Sequence, residues 1–289
     1  MARRAARLVV LAALAGAALA PAAPVGARPG RGAPPTYVAL GDSYAAGPLV
    51  PGRARRPAGC LRSTRNYPHV VAARLRLVLV DATCAGATVA ALASPQRVRG
   101  GPNPPQLAAV DDRAALVTVT MGGNDLGFGE VLRSCVAVLP VGSPCRDRFG
   151  GELSRRVDLL APRLGAALAE VSRRAPDAAV LVVGYPAVVP VAGPGCWPLL
   201  PVAPADVGYL ADAQRGLNAA LAAQAAAHGA TYVDAYGPSA GRDACGRPGR
   251  RWVEPLVPLS PAAPVHPNSL GMRKLAALVA NAAVAALAG

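Results

Sequence analysis

Short apolar runs, three of them stopped by glycine, alternate along the chain with longer stretches in which apolar residues recur every three or four positions. Tyr37-Val38-Ala39-Leu40, Val78-Leu79-Val80, Ala114–Met121, Ala179–Val183 and Thr231-Tyr232-Val233 have strand length and are rich in β-branched residues. Residues 66–77, 153–174, 205–228 and 269–288 carry helical spacing. In the second of these, Leu159, Leu160, Leu164 and Leu168 are expected on the buried side, and Gly229 is placed to end the third. Apolar strands separated by helices imply a three-layer α/β/α fold with a central parallel sheet covered on both faces. In such sheets the working residues gather beyond the carboxyl ends of the strands. That rule selects Gly41-Asp42-Ser43, Gly122-Gly123-Asn124-Asp125 and Gly184-Tyr185-Pro186.

Residues 1–27 stand apart from this pattern. Arg3, Arg4 and Arg7 precede an unbroken apolar run, Leu8 to Ala20, followed by small residues ending in Val25-Gly26-Ala27. This is the layout of a secretory signal with an A-x-A-like cleavage site, and the run is short for a membrane anchor. With no linker or internal repeat after it, 28–289 is expected to be one domain, exported and extracellular. Export gives the cysteines a meaning: six remain, and an even number in an oxidising compartment favours disulfides. Many connectivities are open. The expected one joins nearest neighbours: Cys60–Cys84, Cys135–Cys145 and Cys196–Cys245. None lies in a C-x-x-C pair, which argues against zinc.

Composition removes several function classes. With 53% hydrophobic residues among 289, the chain is no disordered tail. Its formal charge of +14, about +11 without the signal, could suggest nucleic acid. However, the arginines are dispersed and 4% aromatic residues are too few for a stacking platform. A solvated basic surface is the simpler reading; it would favour contact with anionic lipid or a cell surface. No phosphate-cradling loop, dinucleotide fingerprint or cluster of metal ligands is visible, so no cofactor and no metal are expected. A monomer is expected.

Four short blocks converge on one chemistry. Ser43 follows a strand directly, where a hydroxyl faces the crevice. Asn124, after two glycines at the end of the best strand, offers an amide donor of the kind an oxyanion hole needs. Gly86, just after Cys84, offers a backbone N–H with no side chain in the way. His266, before the last helix, could act as the base, with Pro267 suited to the first helical position. His69, within a helical pattern, and His228, at a helix end, are weaker candidates. Each block alone could be a turn or a cap.

In this order the blocks resemble the SGNH (GDSL) hydrolases, and secretion with six cysteines resembles the extracellular actinobacterial lipases and phospholipases of that group. The resemblance spans almost all of 36–289. It implies an SGNH, flavodoxin-like fold and a carboxylic ester hydrolase working through an acyl-serine. Ser43 would be the nucleophile and His266 the base, with the N–H groups of Ser43 and Gly86 and the amide of Asn124 forming the oxyanion hole. The substrate would be an ester or lipid. A carbohydrate-ester deacetylase, or a non-catalytic protein binding lipid or cell wall, are the other readings. One departure from the family is clear: the aspartate usual three residues before the histidine is Ala263 here. A backbone carbonyl near Ala263 is therefore expected to orient the imidazole, with Asp234 or Glu254 as alternatives. Asp42 and Asp125 are expected to tie down their own turns. The acyl pocket is expected from 126–148 and 187–204.

Overall fold

The first strand, β1 (Thr36–Gly41), feeds straight into a one-turn helix α1 (Ser43–Ala46). The structure, a computed structural model, describes residues 35–54 and 56–288; the expected signal at 1–27 lies outside them. After α1 come α2 (Tyr67–Leu75), β2 (Val78–Asp81), α3 (Ala90–Ala93), a hairpin of β3 (Gln96–Val98) and β4 (Gly101–Asn103), and β5 (Ala114–Thr120). Then follow α4 (Phe128–Ser134), α5 (Pro144–Phe149), α6 (Glu152–Arg174), β6 (Ala179–Val183), α7 (Pro204–Ala227), β7 (Thr231–Val233) and α8 (Ser269–Ala288). Five strands form a parallel sheet in the order β2-β1-β5-β6-β7, the architecture expected from the alternation of runs.

Strand side chains point alternately to the two faces, and each face has its own core. Val38, Leu40, Val117, Val119 and Val182 meet Leu160, Leu164 and Leu168 of α6 and Leu217 and Leu221 of α7. Tyr37, Ala39, Leu116, Leu181 and Val183 meet Tyr67 and Val71 of α2 and Met272, Leu275 and Val279 of α8. Leu159 departs from expectation and is 46% exposed. One residue turns a helix by about 100°, so Leu159 and Leu160 cannot share a face. The α8 helix starts at Ser269 rather than at Pro267, because Pro267 is held in a bridge to Val253 and Asn268 accepts the Gly271 N–H at 2.9 Å.

The β3–β4 hairpin and the short helices α3, α4 and α5 carry too few residues to show a period. The disulfides are Cys60–Cys84, Cys135–Cys145 and Cys196–Cys245, as nearest-neighbour pairing anticipates. They fit an oxidising compartment.

Candidate active site

At the carboxyl ends of β1 and β5, a cleft of about 560 Å³ opens, with Ser43, Asn124 and His266 in its wall. Ser43 is brought there by the sharp β1–α1 turn. Gly41 permits that turn, since a Cβ at this position would lie 2.7 Å from the Ala45 Cβ and 3.0 Å from the Thr120 carbonyl. Gln106 grips the same glycine from the side, accepting from its N–H at 2.7 Å and donating to its carbonyl at 3.0 Å. Asp42, not Ser43, caps the helix, accepting the Tyr44 N–H at 2.8 Å. The serine hydroxyl is thereby left for the cleft.

His266 lies 223 positions away, and its Nε2 is 2.8 Å from Ser43 Oγ. Its Nδ1 is 2.7 Å from the Pro264 carbonyl. A carbonyl only accepts, so the ring hydrogen sits on Nδ1 and the Nε2 lone pair faces the serine hydroxyl. The orienting carbonyl is thus that of Pro264, which corrects the expectation for Ala263. The Ala263 carbonyl is taken by the His266 N–H at 3.2 Å, closing a turn that aims the Pro264 oxygen at the ring. In that turn Val265 adopts a left-handed φ of 54°, a strained conformation for a β-branched residue. Tyr44 donates to the Val265 carbonyl at 2.7 Å and holds it there.

Neither alternative carboxylate meets the imidazole. Asp234 accepts the N–H groups of Tyr236 and Gly237. Glu254 is buried and accepts from Leu259, Ser260 and Asn268. Protein packed around the half-buried His266 ring lowers its pKa from 6.5, partly opposed by the Pro264 hydrogen bond. The ring is accordingly neutral near neutral pH, with its Nε2 lone pair free to accept a proton.

Asn124 donates one amide hydrogen to the Ala87 carbonyl at 2.9 Å, which leaves its second for the cleft. Gly86 is not among the cleft-lining residues but sits in the loop tied to them. Asp125 receives the Val89 N–H at 3.0 Å, and Gln96 donates to the Ala85 carbonyl at 2.9 Å. Among the described residues the Gly86 N–H has no protein acceptor. Its φ of 79° explains the glycine better than crowding does, since a Cβ would meet only Gln96 Nε2 at 3.6 Å. Asp42 and Asp125 both bind backbone N–H groups as expected, although Asp125 secures the neighbouring loop rather than its own turn.

Two tyrosines at the centre carry no separate signal in the sequence. Tyr185 donates to Asp42 Oδ2 at 2.6 Å and accepts the Gly123 N–H at 2.8 Å. Tyr44 packs edge-on against Tyr185 and lies 5.0 Å from the His266 ring. Tyr185 does fall at one of the strand ends selected by the parallel-sheet rule. Leu126, Phe128, Leu132 and Val188 come from the two loops expected to build the acyl pocket, while Leu217 and Val265 come from elsewhere.

The model of the GDSL-like lipase/acylhydrolase family matches residues 39–274. A lipase of Streptomyces coelicolor, Lipase 2, is 44% identical over 251 residues, 83% of each chain. Among solved structures, phospholipase A1 from Streptomyces albidoflavus superposes with a TM-score of 0.73 at 26% identity, covering 86% of this chain and 99% of its own. An extracellular lipase from Streptomyces rimosus superposes with a TM-score of 0.72 at 28% identity and the same coverage. The strand-end serine and the order of its partner segments therefore have a family explanation as well as a chemical one: the chain belongs to the GDSL-like lipase/acylhydrolase family and is an ester hydrolase.

Proposed function

We propose that Ser43 and His266 form a catalytic dyad that cleaves acyl esters through an acyl-serine. Ser43 Oγ bonds to the ester carbonyl carbon while its proton passes to His266 Nε2. The carbonyl oxygen gains the negative charge and is held by the second Asn124 amide hydrogen and the N–H groups of Ser43 and Gly86. The carbon–oxygen bond to the leaving alcohol then breaks, and the alcohol takes the proton from His266. Water adds to the acyl-serine by the same route in reverse, freeing the acid and restoring the hydroxyl. The Pro264 carbonyl holds the tautomer and steadies the imidazolium less strongly than a carboxylate would.

The single observation carrying this reading is the 2.8 Å contact between His266 Nε2 and Ser43 Oγ in an apolar-walled cleft. That wall suits a hydrocarbon acyl chain better than an acetyl group on a sugar, so lipid esters are the favoured substrates. The lipase and phospholipase A1 relatives point the same way. Export of 28–289 after removal of 1–27, and action as a monomer, belong to the same reading.

Ser43→Ala tests it. The variant should keep its melting temperature and lose turnover by a factor on the order of 10³ or more. A serine-directed phosphonate should label Ser43 in the parent protein. Comparable turnover in Ser43→Ala would remove the nucleophile.

A further inference from the structure

Two loops beside the cleft hold large aliphatic side chains in solvent. Val138 is 85% exposed, Leu139 64% and Val141 67%, and on the second loop Val257 is 69% and Leu259 61% exposed. The loops meet: Val136 of the first and Leu256 of the second line one small cavity with Leu132 and Val265. Leu132 and Val265 also line the cleft that holds Ser43 and His266. One apolar surface therefore runs from the cleft wall out to both loops.

The exposure is built in. The Cys135–Cys145 disulfide pins both ends of the first loop. Ala137 within it donates to the Pro201 carbonyl at 2.8 Å and accepts from Trp197 Nε1 at 3.0 Å. The buried Glu254 carboxylate accepts the Leu259 and Ser260 N–H groups and pins the second loop. Anchored at these points, the loops present their aliphatic side chains to water as an exposed apolar face. Arg133, Arg146 and Arg148 are exposed on the helices flanking the first loop, α4 and α5. The one acid between the arginines of α5, Asp147, receives the Ser143 hydroxyl, and Glu130 of α4 is engaged by Arg156.

Resting on the ester-hydrolase reading, we propose that Val136–Val141 and Leu256–Leu259 form a docking face for an anionic lipid surface. The aliphatic side chains would enter the acyl layer and the arginines would meet the headgroups, setting the cleft mouth against aggregated substrate.

Vesicle binding in the Ser43→Ala background tests the face without hydrolysis. This protein should cosediment with mixed phosphatidylcholine–phosphatidylglycerol vesicles, and adding Val138→Glu and Leu139→Glu should weaken binding about tenfold or more. Arg133→Ala with Arg148→Ala should weaken binding to the mixed vesicles while leaving pure phosphatidylcholine unaffected. With Ser43 restored, Val138→Glu/Leu139→Glu should hydrolyse dissolved p-nitrophenyl butyrate at the parent rate and dispersed lipid much more slowly. Equal vesicle binding by parent and Val138→Glu/Leu139→Glu, or none by either, would overturn the docking face. So would a lipid-free dimer that those substitutions dissociate, since the face would then serve a second copy. None of these results bears on the nucleophile, which the soluble ester reads separately.

Discussion

Tyr185 donates its phenolic hydrogen to Asp42 across 2.6 Å, joining two residues 143 positions apart. The same oxygen accepts the Gly123 N–H, so one side chain fastens the cap of the Ser43 turn to the loop that carries Asn124. Tyr44 completes the brace by packing on Tyr185 and holding the Val265 carbonyl beside His266. Tyr185→Phe leaves the Gly123 N–H and one Asp42 oxygen without this partner, at a cost of about 1–3 kcal/mol. We expect kcat to fall with KM much less affected, because the brace holds the proposed nucleophile Ser43 against the loop bearing Asn124. A loss of melting temperature with unchanged kcat would make Tyr185 merely structural.

Asp42 also gives the protein a pH dependence. Burial pushes its carboxyl up to about 7, against the opposing pull of the Tyr185 and Tyr44 hydrogen bonds. A raised carboxyl binds its proton more tightly in the folded chain than in the unfolded one. Its contribution to stability is full below 3.8 and lost as pH rises through about 7. Asp42→Asn does not titrate. The melting temperature of the parent minus that of Asp42→Asn should therefore decrease from about pH 4 to about pH 8. A difference that stays flat or increases would contradict this.

The imidazole works in the other direction. Burial lowers the His266 pKa, so the unfolded state binds the proton more tightly, and this residue's share of stability is present above 6.5 and lost as pH falls. In the proposed mechanism His266 is the base and must be neutral, so the acid limb of kcat/KM should have its midpoint below 6.5. Asp234→Ala, which removes only the cap on the Tyr236 turn, should leave that limb and kcat in place. A large loss of kcat in folded Asp234→Ala would restore a carboxylate partner and remove the dyad.

The parts legible in the sequence were those with local signatures. Runs such as Ala179–Val183 show burial on both faces directly, and Ser43, Asn124 and His266 each sit at an element boundary that the period marks. The choice between Ala263 and Pro264 was not legible. It depends on a left-handed Val265, which Tyr44 holds from 221 positions away. Gln106 on Gly41 and Tyr185 on Asp42 were hidden for the same reason: a hydrogen bond between segments far apart in sequence leaves no period and no spacing in the chain.

Asn124 has two duties, and they can be separated. Its amide ties down Ala87 and offers its second hydrogen to the cleft. Asn124→Ala should lower kcat by about 10²–10³ if the second hydrogen stabilises the transition state. Asp125→Asn weakens the hold on Val89, and with it the loop bearing Gly86, but touches no reacting atom, so a much smaller loss is expected. Equal losses in both variants would mean that Asn124 acts only by holding the loop.

The disulfides provide a last separation, between stability and catalysis. Chain-entropy arguments rank them by the loop they close, with sequence separations of 49 for Cys196–Cys245, 24 for Cys60–Cys84 and 10 for Cys135–Cys145. Each is typically worth about 2–4 kcal/mol, and removing the first should lower the melting temperature most. Activity should follow a different order. Cys84 donates to the Gly41 carbonyl at 2.9 Å and Ala85 donates to the Cys60 carbonyl at 3.0 Å, so this bridge fixes Gly86 against the end of β1. Cys60→Ser with Cys84→Ser should thus reduce kcat on a soluble ester more than loss of either other bridge, measured well below every variant's melting temperature. If kcat instead fell in the order of the melting temperatures, the bridge would be stabilising the fold as a whole and would have no specific hold on the Gly86 N–H.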